Sequence, residues 1–116
     1  MNMTILHNPR CSKSREALAL LQARGIEPEV VEYLATPLTL AELQALQVKL
    51  GGPVRAMLRE GEDDYRELGL ADASLSDEQL LSAVAERPKL LQRPIVVSGE
   101  RALIARPPEL LNDWLD

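Results

Sequence analysis

Cys11 and His7 are the only cysteine and the only histidine of the chain, and both fall in one stretch, Met3-Thr4-Ile5-Leu6-His7-Asn8-Pro9-Arg10-Cys11-Ser12-Lys13-Ser14-Arg15. A lone cysteine forms no internal disulfide. With one histidine and no ligand cluster around it, a metal centre is the weakest of its roles, and a buried structural thiol or a nucleophile remains. Its surroundings favour the nucleophile. The apolar run Ile5-Leu6 gives way to an Asn-Pro breaker and then to an amphipathic segment beginning at Ser12, which puts Cys11 in a strand-to-helix loop. Unpaired N–H groups and the positive dipole end at a helix start favour thiolate over thiol, and Arg10, Lys13 and Arg15 add positive charge.

Two further side chains bear on that thiol. Ser14 occupies the place of the second cysteine in a Cys-x-x-Cys pair, so a redox cycle through Cys11 would be resolved by an outside thiol. As a first-turn helix residue Ser14 can also satisfy a backbone N–H. His7, protonated and close across the loop, would further stabilise a thiolate, whereas a structural histidine is an equally simple role for it. No Asp or Asn partner for it is evident, so a protease-like triad is not expected. Ten of the 13 basic residues are arginine; Arg93 and Arg106 each stand immediately before a proline, and Arg59 closes a short middle segment. Guanidinium groups converging near a thiolate would form a fork-shaped anion site, although spacing alone does not bring them together.

The elements that must carry these residues follow from periodicity and punctuation. A helix is expected from Ser12 to about Arg24, with Ala17, Leu18, Leu20 and Leu21 inward and Gly25 at its C-terminal cap. Val30, Val31 and Tyr33 read as a second strand, and a strand-helix-strand connection makes a right-handed parallel pair. Thr39 with Glu42 is a capping box opening a helix from Leu40 to Leu50, and Ser76 with Gln79 opens another that runs to about Glu86. Between them a short helix from Pro53 to Arg59 would project Arg55 and Arg59 from one side, Glu60 to Asp64 reads as a solvated acidic loop, and Tyr65 to Leu70 as a helical turn. Ile95-Val96-Val97 and Ala102-Leu103-Ile104 flank the turn signal Ser98-Gly99-Glu100 as an antiparallel hairpin, and Glu109 to Leu115 closes the chain as a helix with Leu110, Leu111, Trp114 and Leu115 for its apolar face. The order β-α-β, helices, β-β, α predicts an α/β fold with a mixed sheet of about four strands.

With 116 residues the chain is expected to be one domain. Phe is absent, so Leu, Val, Ile and Ala must build the core. The net charge of -5 argues against a nucleic-acid binder working through broad phosphate attraction. No secretory signal opens the chain and no apolar run approaches a membrane span, so the expected location is the cytoplasm and no membrane partner is expected.

The pattern His7-Asn8-Pro9-x-Cys11-x-x-Ser14-Arg15 resembles the glutaredoxin-coupled arsenate reductase family. The resemblance continues through Tyr33-Leu34-x-Thr36-Pro37, Val54-Arg55-Ala56-x-Leu58-Arg59, Tyr65-x-Glu67-Leu68-Gly69-Leu70, Arg93-Pro94-Ile95-Val96-Val97 and Arg106-Pro107. It implies a thioredoxin-like fold with a helical insertion and a cis bond before Pro94. It also implies that Cys11 is the nucleophile, that Arg59, Arg93 and Arg106 bind the oxyanion, that His7 helps hold the thiolate, and that Ser14 hydrogen-bonds near it. The implied reaction has Cys11 attack arsenate and glutathione attack the arseno-adduct. Glutaredoxin then removes the glutathione as a mixed disulfide, leaving arsenite on Cys11 to be hydrolysed. Glutathione is then a co-substrate, glutaredoxin a partner, and no cofactor or metal is bound. Where the family's well-studied reductases read Ala-Cys-Gly-Thr-Ser-Arg this chain reads Arg10-Cys11-Ser12-Lys13-Ser14-Arg15, two added positive charges beside the thiol. A related reductase acting on another oxyanion or a glutathione conjugate is one alternative. The other is a redox regulator of the same fold that binds RNA polymerase, although that branch carries cysteine at the position of Ser14.

Overall fold

The apolar runs become strands and the helical periodicities become helices in the order expected. In the computed structural model, which describes residues 2–115, the elements are β1 (Met3–Leu6), α1 (Ser12–Ala23), β2 (Glu29–Val31), α2 (Leu40–Leu50), a 3₁₀ helix (Val54–Met57), α3 (Asp63–Glu67), α4 (Asp77–Glu86), a second 3₁₀ helix (Pro88–Leu90), β3 (Ile95–Ser98), β4 (Arg101–Ile104) and α5 (Leu110–Leu115). They divide into two units, one of the residues up to Thr36 and from Arg93 onward, the other of Pro37–Gln92. No helix among the described residues is long and apolar enough to cross a membrane.

The first unit holds a four-stranded mixed sheet in the order β2-β1-β3-β4. β1 and β2 are parallel, with Ile5 opposite Val30, while β1 with β3 and β3 with β4 are antiparallel. This is the thioredoxin-like arrangement. Ile5 and Val96 lie opposite each other across β1 and β3 and are fully buried in one cluster with Ala17 and Leu21 of α1, Ala105, and Leu111 of α5. Ala17 and Leu21 are one helical turn apart, so α1 lays a single apolar stripe on the sheet. Each such Leu, Ile or Val contributes about 1.5–3 kcal/mol relative to leaving it exposed. Gly25 ends α1 with φ at +78°, its N–H on the carbonyl of Gln22 and that of Ile26 on Leu21, the two bonds of a Schellman stop. At the hairpin, Gly99 takes φ of +61° at the first of two loop residues, where a type II′ turn needs a positive φ.

The second unit is the helical insertion between β2 and β3. Both capping boxes form: Thr39 Oγ1 accepts from Glu42 N–H while Glu42 accepts from Thr39 N–H, and Ser76 and Gln79 do the same. α4 packs against α2 and both 3₁₀ helices through buried Leu80, Leu81 and Val84.

Four local expectations are corrected. The segment from Pro53 to Arg59 is not one helix with Arg55 and Arg59 on a common side: it is a single 3₁₀ turn ending at Met57, after which Leu58 is extended and bridges Leu91. Tertiary pairing outcompetes helix extension, because Arg59 N–H donates to Leu90 O at 2.7 Å and Gln92 N–H to Met57 O at 2.8 Å. The acidic stretch is not simply a solvated loop. Asp63 and Asp64 open α3, where carboxylates complement the helix dipole, and Asp64 faces Arg87 at 3.7 Å. Tyr33 lies beyond β2, buried in the following turn. Leu110 stands at the start of α5 and is 46% exposed rather than part of its inward face.

Candidate active site

The sheet register gathers the candidate residues of the first unit at one end. Leu6 pairs with Ile95 and Ile95 with Ile104. The loop leaving β1, the segment entering β3 and the segment leaving β4 therefore all sit at the same end of the sheet. They carry, respectively, His7 to Cys11, Arg93-Pro94, and Arg106-Pro107. The bond before Pro94 is cis, as the resemblance implied, and so is the bond before Pro107, which nothing in the sequence announced.

Cys11 is the N-cap residue of α1. Its backbone is extended, with φ -92° and ψ 123°, its N–H donates to Asn8 O at 3.0 Å and its carbonyl accepts from Arg15 N–H at 3.0 Å. The thiol makes no capping bond to the helix, is half-buried, and forms no disulfide. A serine, threonine or aspartate at this position would spend its side chain on the helix N–H groups. The cysteine leaves its sulfur available at the positive end of a 12-residue helix.

The loop that presents it is tied down by side chains on both flanks. Ser14 Oγ, fully buried, accepts from Asn8 N–H at 3.0 Å and meets His7 Nδ1 at 2.6 Å. Asn8 Oδ1 accepts from Arg10 N–H at 3.0 Å, an Asx turn, and Arg15 Nη1 donates to Pro9 O at 2.9 Å. Asn8 and Arg15 brace the loop that carries Cys11, a role the sequence concealed. Asn8 read only as half of a breaker and Arg15 only as charge, while the turn chemistry of Asn with a donor two residues on is the signal that could have found the first.

His7 is buried, and its N–H donates to Val31 O at 2.8 Å, continuing the β1–β2 ladder by one residue. Burial lowers its pKa below the ordinary 6.5, opposed by the nearby Glu32 carboxylate and assisted by Arg15. The neutral imidazole is thus favoured, and its Nδ1 is engaged by Ser14. Either Ser14 O–H donates to an unprotonated Nδ1, or Nδ1–H donates to Ser14 and frees the hydroxyl hydrogen for another acceptor. Of the cations expected around the thiol, Lys13 pairs with Glu16 at 3.5 Å and Arg15 serves the loop.

At the far side of the sheet end, Ala105 N–H donates to Pro94 O at 2.9 Å, and Arg106 Nη1 reaches Arg93 O at a long 3.4 Å. Arg93 Nε is buried and has no hydrogen-bond partner among the described residues. A buried, charged donor left unpaired costs free energy, and an anion is its natural complement. Arg59 belongs to the second unit, where its guanidinium is held by the Glu62 carboxylate. Beside His7 and Asn8 the first unit also has a cleft of about 350 Å³ whose lining includes Arg10, Glu32, Leu34 and Ala35. Among the described residues no group of His, Cys, Asp and Glu is arranged to hold a metal ion.

A half-buried free thiol at a helix start, with a guanidinium donor that has no partner among the described residues at the same end of a thioredoxin-like sheet, fits the family pattern read from the sequence. The ArsC family model covers residues 6–113. The chain belongs to the ArsC family. Its relatives include the uncharacterized protein YfgD of Escherichia coli (strain K12), 56% identical over 90% of this chain and 89% of that protein. The arsenate reductase of Neisseria meningitidis serogroup A is 52% identical over 90% of this chain and 91% of that protein. Among solved structures, the arsenate reductase from Vibrio cholerae superposes with a TM-score of 0.94 at 51% identity, covering 97% of both chains.

Proposed function

We propose that this ArsC-family protein is an arsenate reductase that works through a Cys11 adduct resolved by glutathione and glutaredoxin. The observation that carries most weight is the buried Arg93 Nε, without a partner among the described residues, at the sheet end that also presents Cys11 at the start of α1. Relatives named arsenate reductase at about half identity over nearly the whole chain support the substrate.

In the proposed reaction the Cys11 thiolate attacks arsenic(V) and an arsenate oxygen leaves as hydroxide or water, while Arg93, Arg106 and Arg59 offset the charge on the remaining oxygens. Glutathione displaces a second oxygen. A glutaredoxin thiolate then attacks the glutathione sulfur, and the electron pair of the sulfur–arsenic bond passes to arsenic, leaving arsenic(III) on Cys11. Hydrolysis releases arsenite and restores the thiol. Ser14 in place of a second cysteine suits a cycle that depends on outside thiols. His7 and Ser14 act in this reading as positioning residues, holding Asn8 and with it the loop that ends at Cys11.

The test is arsenate-dependent NADPH oxidation in the presence of glutathione, glutaredoxin and glutathione reductase. Wild type turns over and Cys11→Ser does not, whereas Arg59→Ala, Arg93→Ala and Arg106→Ala each weaken arsenate use by about 1–3 kcal/mol. Activity surviving Cys11→Ser refutes the nucleophile. Unchanged kinetics in all three arginine variants refutes the anion site. Turnover of another oxyanion or a glutathione conjugate but not arsenate identifies a related reductase, and co-purified RNA polymerase without any turnover identifies a regulator.

A further inference from the structure

Arg59 is built into the second unit with one guanidinium nitrogen, Nη1, already engaged by Glu62. Its backbone N–H is fixed to Leu90 O at 2.7 Å, and its carbonyl accepts from Glu62 N–H at 3.2 Å, closing a four-residue turn. Across that turn Arg59 Nη1 donates to Glu62 Oε1. Both side chains are about three-quarters buried, with 24% and 26% exposure. Glu62 precedes α3 at the N-cap position, yet its carboxylate makes no bond to the helix and is given instead to Arg59. Of the neighbouring carboxylates, Asp63 pairs with Arg66 at 2.8 Å and Glu67 with Arg87 at 3.0 Å.

A guanidinium presents the same planar fork to a carboxylate and to a tetrahedral oxyanion. An oxyanion that takes the Nη1 donor given to Glu62 displaces its carboxylate, and a carboxylate left in place sets a like charge beside the incoming anion. We propose that Glu62 is a resident competitor for Arg59 that sets the oxyanion affinity of the enzyme. The proposal rests on the reading of Arg59 as an oxyanion ligand. Glu62→Gln keeps the length and the oxygen acceptor but removes the charge, so it weakens the competitor without emptying the turn.

The probe is arsenate, titrated calorimetrically into Cys11→Ser protein, which binds without reacting. Adding Glu62→Gln lowers the Kd roughly fivefold, equivalent to about 1 kcal/mol at a partly buried ion pair. The same substitution has no effect when Arg59→Ala is also present. With Cys11 intact, Glu62→Gln lowers KM for arsenate by a similar factor and leaves kcat unchanged. A merely structural Glu62 would loosen binding when altered, and would do so with or without Arg59. If Arg59→Ala weakens binding while Glu62→Gln leaves it unchanged, or weakens it too, the competitor is refuted and the Arg59 ligand stands. If Arg59→Ala itself leaves the Kd unchanged, Arg59 is not a ligand and both readings fall.

Discussion

Replacing Ser14 by alanine tests the part of the site that the structure specifies most closely. The hydroxyl is fully buried and is shared by Asn8 N–H at 3.0 Å and His7 Nδ1 at 2.6 Å. Its loss removes two hydrogen bonds and leaves two groups of a tightly packed loop without their partner. The gap is that of one oxygen atom, too small to admit a water that could replace it. Two bonds at about 1 kcal/mol each, with an added penalty for the partners stranded out of water, place the loss at roughly 2–3 kcal/mol. For a chain of this size that corresponds to a urea midpoint lower by about 1–2 M at unchanged slope. Urea unfolding of wild type, Ser14→Ala and Ser12→Ala provides the comparison. Ser12 is exposed and stands in the first turn of the same helix, so its substitution stays within about 0.5 kcal/mol of wild type. In the coupled assay, turnover by Ser14→Ala falls as the Asn8–Cys11 loop loses its anchor. If the two serine variants unfold at the same urea concentration, the buried network does not hold the loop, and Ser14 and His7 are not positioning residues.

Acidity reads the same network differently. Burial holds the His7 pKa below 6.5, so between that lowered value and 6.5 the unfolded chain binds a proton that the folded chain refuses. The His7 contribution is complete above pH 6.5, declines as the pH falls through 6.5, and levels off below the lowered value. Urea midpoints at about pH 7.5 and about pH 5.5 reveal the decline in wild type, and His7→Gln removes that part of the pH dependence; equal slopes for the two proteins would overturn the assignment. Arg55 is a structural cation: its Nη1 donates to Tyr65 Oη at 3.1 Å and Leu70 O at 2.7 Å, and its Nη2 to Asp72 O at 2.6 Å. Arg55→Ala should cost about 2–4 kcal/mol in urea unfolding, with Arg55→Lys recovering only part because an ammonium lacks the fork, while KM for arsenate of the folded protein stays put. An altered KM at unaltered stability would show that Arg55 serves the substrate instead.

The sequence by itself determined the elements whose signals are local. The capping boxes at Thr39 and Ser76, the stop at Gly25 and the hairpin turn at Gly99 were all legible because a few neighbouring residues decide each of them. So was the placement of Cys11 before α1, since a breaker followed by an amphipathic run leaves few other outcomes. What only the tertiary structure decided is how distant backbone and side chains meet. Arg59 reads locally as the end of a helix with Arg55 on its side, but pairing of Leu58 with Leu91 and of Arg59 N–H with Leu90 O pulls the chain out of that helix. Arg55 then becomes a staple and Arg59 a partner of Glu62. His7 looks in sequence like a cation for the thiolate, but burial makes the neutral imidazole the favoured form, with its Nδ1 on Ser14. Arg93 and Arg106 share a sheet end with Cys11 because Leu6, Ile95 and Ile104 are in register across three strands. Spacing along the chain cannot express that, because register depends on which faces the whole sheet buries.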